Sequence, residues 1–264
     1  MDGRWVEIGG GVFARRHEEL DLTTGLVLGD HRALVIDTRG DERQGAEWAA
    51  AVLGMTTLPL VVVLTHAHFD HCFGTAAFTR APVFAQTGCA AEILATTGSQ
   101  REEWSGYYRS RGDEATAEAL AATDPPLPGH PVCPLPGDRY ALDLGGHTVV
   151  LLHPGRGHTG HDLGVHVPEA GVLFAGDLLE NGAPPSYGPD SFPECWAGAV
   201  AALLAEGATT LVPGHGDPMS PGRAAAQQAE LADVARLFRA VADRELDGEA
   251  ADRLSPHPGV GWPG

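Results

Sequence analysis

Between positions 66 and 71 the chain reads His-Ala-His-Phe-Asp-His, which places three imidazoles and a carboxylate within six residues. Just upstream, Leu60, Val61, Val62, Val63 and Leu64 form an unbroken apolar, mostly β-branched run, the composition of a strand covered on both faces. In extended chain, residues two apart project to the same side, so His66 and His68 can reach one metal ion together. Asp70 and His71 then lie across a turn, where they can face a second ion. Imidazole with carboxylate suits zinc, and also iron or manganese, whereas calcium and magnesium do not recruit so many nitrogens. A single His here would be explained well enough as a packed core residue. Four potential ligands at this density after a strand point to a metal site instead.

Such a cluster needs strands that converge on it. Apolar stretches at 5–8 and 12–15 flank Gly9, Gly10 and Gly11 and predict a hairpin. A second hairpin, 24–28 with 33–36, delivers Asp37 to a loop. Further short strands are predicted at 83–85, 140–144, 148–152, 164–167, 172–175 and 210–212, and helices at 41–53, 89–95, 193–205 and 221–246. Residues 98–136 are charged and Ala-rich, then rich in Pro and Gly, without a strand signal; they read as a helical insertion with a loop, placed to act as a lid. The tail at 248–264, punctuated by Pro256, Pro258, Gly259, Gly261 and Pro263, is expected to be poorly ordered.

The chain has 264 residues, 43% hydrophobic and 20% charged, enough apolar material for one domain spanning 1–264. Asp and Glu number 35 against 17 basic residues, a formal charge of -18 that disfavours nucleic acid and anionic membrane surfaces as partners. All the basic residues are Arg, because there is no Lys. Recognition of a substrate carboxylate would therefore fall to guanidinium, hydroxyl or backbone groups. The start lacks the apolar run of a secretory signal, and no segment approaches the roughly 20 apolar residues that span a bilayer, so a cytoplasmic location is expected. Cys72, Cys89, Cys133 and Cys195 form no Cys-x-x-Cys pair and read as reduced thiols. The sequence sets no oligomeric state.

The His66–His71 motif resembles the H-x-H-x-D-H signature of the metallo-β-lactamase-fold superfamily. The resemblance covers nearly the whole chain up to Pro221 and implies an α/β protein of αββα layering, with two mixed sheets face to face, helices outside and metals at one edge. It also implies three later ligands. His158, in the context Gly157-His158-Thr159, is similar to the family's third histidine, with His153 and His161 as competitors. Asp177 ends an apolar run in Gly-Asp and matches the carboxylate that bridges both metals in the hydrolytic branch; His215, in Pro213-Gly214-His215-Gly216, matches the last histidine. By this resemblance His66, His68 and His158 hold one ion, Asp70, His71 and His215 the other, and Asp177 bridges two zinc ions per chain.

The reaction so implied is attack of a metal-bridging hydroxide on a carbonyl, with Asp70 both ligating and orienting it. Asp177 points to the thioesterase and lactonase side, resembling glyoxalase II, since zinc β-lactamases of the superfamily typically carry Cys or a non-ligating residue there. The absence of Lys counts against glutathione thioesters. An ester, thioester or lactone of a small molecule is the expected substrate. The alternatives are β-lactam amide hydrolysis and a mononuclear-iron oxidoreductase resembling persulfide dioxygenases; a nuclease would need a basic exosite. Arg156 is a candidate for a substrate carboxylate, Tyr187 for a substrate carbonyl, and Trp104, Tyr107 and Tyr108 for an aromatic lid.

Overall fold

The computed structural model describes residues 3–124 and 132–263. Strands β1 (Trp5–Gly9), β2 (Val12–Arg16), β3 (Thr23–Leu28) and β4 (Ala33–Ile36) pair antiparallel in chain order. Helix α1 (Glu42–Leu53) then crosses over to β5 (Leu60–Val63), which runs parallel to β4, and β6 (Val83–Ala85) and β7 (Val132–Pro134) extend the sheet in parallel. The second sheet has the order β12-β11-β10-β9-β8, built from β8 (Arg139–Asp143), β9 (Thr148–Leu152), β10 (Gly164–Val167), β11 (Val172–Asn181) and β12 (Thr210–Gly216). Only its β11–β12 pair is parallel. Both sheets are therefore mixed.

Period-two alternation divides the apolar residues between layers. Leu34, Ile36, Val61 and Val63 meet Val149, Leu151, Val165 and Phe174 between the sheets. The intervening Val35 and Val62 face outward onto Trp48 and Val52 of α1, Ile93 and Tyr108 of α3 (Cys89–Ser110) and Leu120 of α4 (Glu114–Ala122). Leu152, Leu173 and Ala175 face α5 (Pro193–Leu204) and α6 (Pro221–Ala242) through Trp196, Val200, Leu203 and Leu231. The layers run α-β-β-α, as the resemblance implies.

The differences from the sequence reading have local causes. Helix α3 continues past 95 to Ser110, because its buried line, Ile93, Thr97, Ser105 and Tyr108, is partly polar and so carries little apolar period. Strand β7 lies in the stretch read as strandless; it is three residues long and contains Pro134, as suits a sheet edge. Strands β11 and β12 extend six and four residues beyond the predicted ends, with Glu180 opposite His215 and Asn181 opposite Gly216. The tail, expected to be poorly ordered, forms α7 (Gly248–Leu254), capped where the Asp247 side chain accepts from the Ala250 amide at 2.7 Å. Ala251 packs on Leu237 and Val241, and His257 and Val260 are buried. No helix among the described residues is long and apolar enough to cross a membrane.

Trp196 is fully buried and donates its indole N–H to the Leu178 carbonyl at 3.1 Å, so it ties α5 to β11. Trp196→Ala should destabilise the metal-free protein by about 3–5 kcal/mol, read as a lower urea midpoint. A midpoint unchanged from wild type would contradict this account of the core.

Candidate metal centre

Parallel pairing of β4 with β5 sets Ile36 opposite Val63, which brings Asp37 alongside Thr65 at the carboxyl ends of both strands. Asp37 sits at φ 61, a left-handed conformation that costs free energy in a non-glycine residue. The conformation is held by three hydrogen bonds to its carboxylate, from the Thr65 amide, the Thr65 hydroxyl and His71 Nδ1, each at 2.8 Å. His68 stands just before the four-residue helix α2 (Phe69–Cys72), whose single turn carries Asp70 and His71.

Every candidate histidine has one ring nitrogen engaged by the protein and the other turned inward. His66 Nδ1 bonds Thr65 Oγ1 at 3.0 Å, where the hydroxyl accepts because it already donates to Asp37. His68 uses Nε2 on Asp190 at 3.0 Å, His158 uses Nδ1 on the Ser186 carbonyl at 3.2 Å, and His215 uses Nδ1 on the Leu20 carbonyl at 2.8 Å. Such outer bonds fix the tautomer and aim the remaining lone pair. The inner atoms fall into two groups with members within 4.8 Å of one another, His66, His68, His158 and Asp177, then Asp70, His71 and His215; Asp177 and His215 also form a third such group with Glu180. Asp177 stands between them, with Oδ1 3.1 Å from His71 Nε2 and Oδ2 3.2 Å from His215 Nε2 and 3.5 Å from His158 Nε2. All seven sequence-predicted ligands thus meet at one place.

The arrangement fits divalent metal. His158 Nε2 faces His68 Nδ1 at 2.9 Å and His71 Nε2 faces His215 Nε2 at 3.3 Å, nitrogen against nitrogen. His66 Nε2 is buried without a hydrogen-bond partner, an arrangement that is costly unless a cation takes the lone pair. Gly214 lets the sheet close around Asp177, since a Cβ there would come within 1.8 Å of Asp177 Oδ1.

The electrostatics of the metal-free chain divide the histidines. Burial drives His66 well below its ordinary pKa and His158 down to about 4, so both are neutral ligands in waiting. Burial acts in the same sense on His71 and His215, but the carboxylates outweigh it, those of Asp177, Asp70 and Asp37 for His71 and of Asp177 and Asp70 for His215. Both are held well above 6.5. Glu180, 5% exposed beside Asp177 and His215, is pushed up to about 8, chiefly by burial and then by the charge of Asp177.

The centre opens into a cavity of about 750 Å³. One wall is the α3 face carrying Glu92, Thr96, Gln100, Glu103 and Trp104, and the other is the loop after β11 with Ser186, Tyr187 and Asp190. Of the substrate candidates, Tyr187 and Trp104 line this space, while Arg156, Tyr107 and Tyr108 do not. Arg156 is exposed with its guanidinium 4.9 Å above the Phe192 ring. The Tyr187 hydroxyl lies 2.9 Å from His257 Nδ1, and His257 Nε2 lies 3.2 Å from Glu230. In the tautomer that donates Nε2–H to Glu230, Tyr187 gives its proton to His257, not to a substrate. His153 turns to the Asp162 carbonyl at 2.7 Å and His161 lies near Glu92 at 3.9 Å; neither joins the metal groups.

Sequence reasoning overlooked Asp37, Thr65, Glu180 and Asp190 as parts of the site. Asp37 was findable, since it ends a strand neighbouring the histidine strand. Asp190 acts across 122 residues and carries no local signal.

A two-sheet αββα sandwich with a histidine and aspartate cluster at the sheet edge defines a metal-dependent hydrolase. The sequence model of the metallo-beta-lactamase superfamily matches residues 20–215, and the chain belongs to that superfamily. A metallo-beta-lactamase type 2 from Bacillus sp. (strain 170) is 25% identical over 218 residues, covering 80% of this chain and 72% of its own. The fold is also that of a metallo-beta-lactamase from Pontibacter korlensis (TM-score 0.64, 21% identity, covering 86% of this chain and 98% of that one). The mono-zinc form of the metallo-beta-lactamase FIM-1 from Pseudomonas aeruginosa is similar (TM-score 0.62, 21% identity, 88% and 96% covered).

Because the neighbouring carboxylates raise the proton affinity of His71 and His215, zinc binding to the metal-free protein should release protons near neutral pH. The binding enthalpy would then vary with the ionisation enthalpy of the buffer, and a buffer-independent enthalpy would contradict the assignment. Gly214→Ala should displace Asp177 and reduce metal content by elemental analysis while circular dichroism stays native; full loading would contradict the close approach.

Proposed function

We propose that this chain cleaves an ester, thioester or lactone-type carbonyl bond of a small molecule, using two zinc ions held by His66, His68, His158, Asp70, His71 and His215 with Asp177 shared. The supporting observation is the position of Asp177, whose two oxygens face both groups of imidazoles. Bound divalent ions would supply Lewis acidity toward a carbonyl oxygen and a water acidified toward neutrality. The rest falls to the protein. Asp70 lines the cavity and lies 3.3 Å from His215 Nε2, where its carboxylate can accept a proton from the attacking water and aim that water at the carbonyl carbon. Asp37 and Thr65 hold His71 and His66 in register, and Asp190 does so for His68. The cavity volume is of small-molecule size.

The second donor group supports hydrolysis over a mononuclear-iron oxidoreductase, which would need only one. A β-lactam reading is favoured by the names of the relatives; against it stands the cavity lining, which offers no arginine to a carboxylate, in a chain without lysine.

Elemental analysis should find about two zinc ions per chain after loading, and a panel of esters, thioesters, lactones and β-lactams should show preference within the first three. One iron with oxygen-consuming activity, or preference for β-lactams, would overturn the reading. Asp70→Asn should lower kcat roughly 10²–10⁴-fold in a folded protein.

A further inference from the structure

Charge, more than shape, distinguishes this cavity. Its α3 wall presents Glu92 and Glu103 at spacings that share one helix face with Thr96, Ser99 and Gln100, and Asp190, Asp21 and Glu180 complete an acidic lining. No arginine is among the lining residues. Every arginine of the chain lies within the described residues, and there is no lysine. Arg16, paired to the lining residue Asp21, is also bound to Asp217, at 2.7 Å.

Local pairing neutralises only part of this charge. Asp21 has Arg16, and Asp190 has His68. Among the described residues the Glu92 carboxylate has only His161, at 3.9 Å. Glu103 is exposed and has no hydrogen-bond or ion-pair partner among the described residues. Glu180 is 5% exposed, lines the cavity, and its carboxylate likewise has no hydrogen bond or salt bridge among them. A buried acceptor aimed into a cavity and left unpartnered asks for a donor or a cation from outside the chain. Trp104, packed against Phe69 with centroids 4.6 Å apart, adds aromatic surface next to Glu103, and cations rest favourably on such rings.

On the hydrolytic reading above, we propose that the cavity selects carbonyl substrates carrying an ammonium group and rejects those carrying a carboxylate. A bound metal pair would itself attract an anion, but Asp70 and Asp177 set negative charge directly against it. The α3 wall then gives the outer cavity its sign. Low-dielectric walls focus that field on an entering ligand, so the discrimination acts on association as well as on the bound state.

The test uses zinc-loaded protein and three matched p-nitrophenyl esters of equal length ending in trimethylammonium, tert-butyl or carboxylate. The expected order of kcat/KM is ammonium, neutral, carboxylate, with about tenfold or more between the ends, compressed in 1 M salt. The double variant Glu92→Gln, Glu103→Gln should lower the ammonium-to-neutral ratio. Binding supplies a readout independent of turnover: choline should bind more tightly than its neutral isostere 3,3-dimethyl-1-butanol by calorimetry, and less so in the double variant. Turnover with the carboxylate ester equal or preferred, or equal binding of choline and its isostere, overturns the charge inference and leaves hydrolysis standing. Absence of any ester turnover with choline still preferred overturns the hydrolytic reading and leaves charge selection standing.

Discussion

Gathering five imidazoles with the carboxylates of Asp70, Asp177 and Glu180 in one buried place sets the electrostatic problem that the rest of the chain answers. Isolated charges in such surroundings would cost several kcal/mol each, so they persist only where partners of opposite sign are close. In the metal-free chain the partners are protons: His71 and His215 hold theirs against burial because Asp177 and Asp70 lie beside both of them. His66 and His158 sit where burial prevails and give theirs up. The same geometry that stores protons on one side and bare lone pairs on the other is suited to exchange them for divalent cations.

Two sheet edges supply the rigidity this requires. His66 closely follows the parallel β4–β5 pair, Asp177 directly follows the paired Gly176 of the parallel β11–β12 pair, and His215 is paired with Glu180 there, so the donors stand on or next to backbone fixed by ladder hydrogen bonds. The sheets pack through Ile36, Val63, Phe174 and Val212, close behind the site in sequence. Packing in the middle layer therefore sets ligand distances, and the strained backbone of Asp37 is held by bonds to the residues it positions.

Much of this was legible because His66, His68, Asp70 and His71 crowd together directly after an apolar strand. The family resemblance of that motif then marked Asp177 and His215, and the flanking glycine and threonine favoured His158 over His153 and His161. The outer shell was not legible in the same way. Asp190 reaches His68 and Leu20 reaches His215 only through the closed fold, across separations that no window spans. The length of α3 was hidden for a related reason: a helix that buries one face and lines a polar cavity with another shows no simple amphipathic stripe.

The tail shows how packing overrides composition. Proline and glycine in 248–264 remove backbone hydrogen bonds and favour turns, which reads locally as disorder. Yet Ala251 and Val260 are buried, Trp262 meets Phe238 at 6.5 Å, and His257 sits between the Tyr187 hydroxyl and Glu230. Tyr187 in turn lies tilted against Trp196 at 5.1 Å, and Trp196 packs at 5.3 Å against the ring of His158. A contiguous path of rings therefore joins a segment outside the matched family region to the metal cluster. The cavity wall opposite α3 owes its shape to contacts from a part of the chain that contributes no ligand.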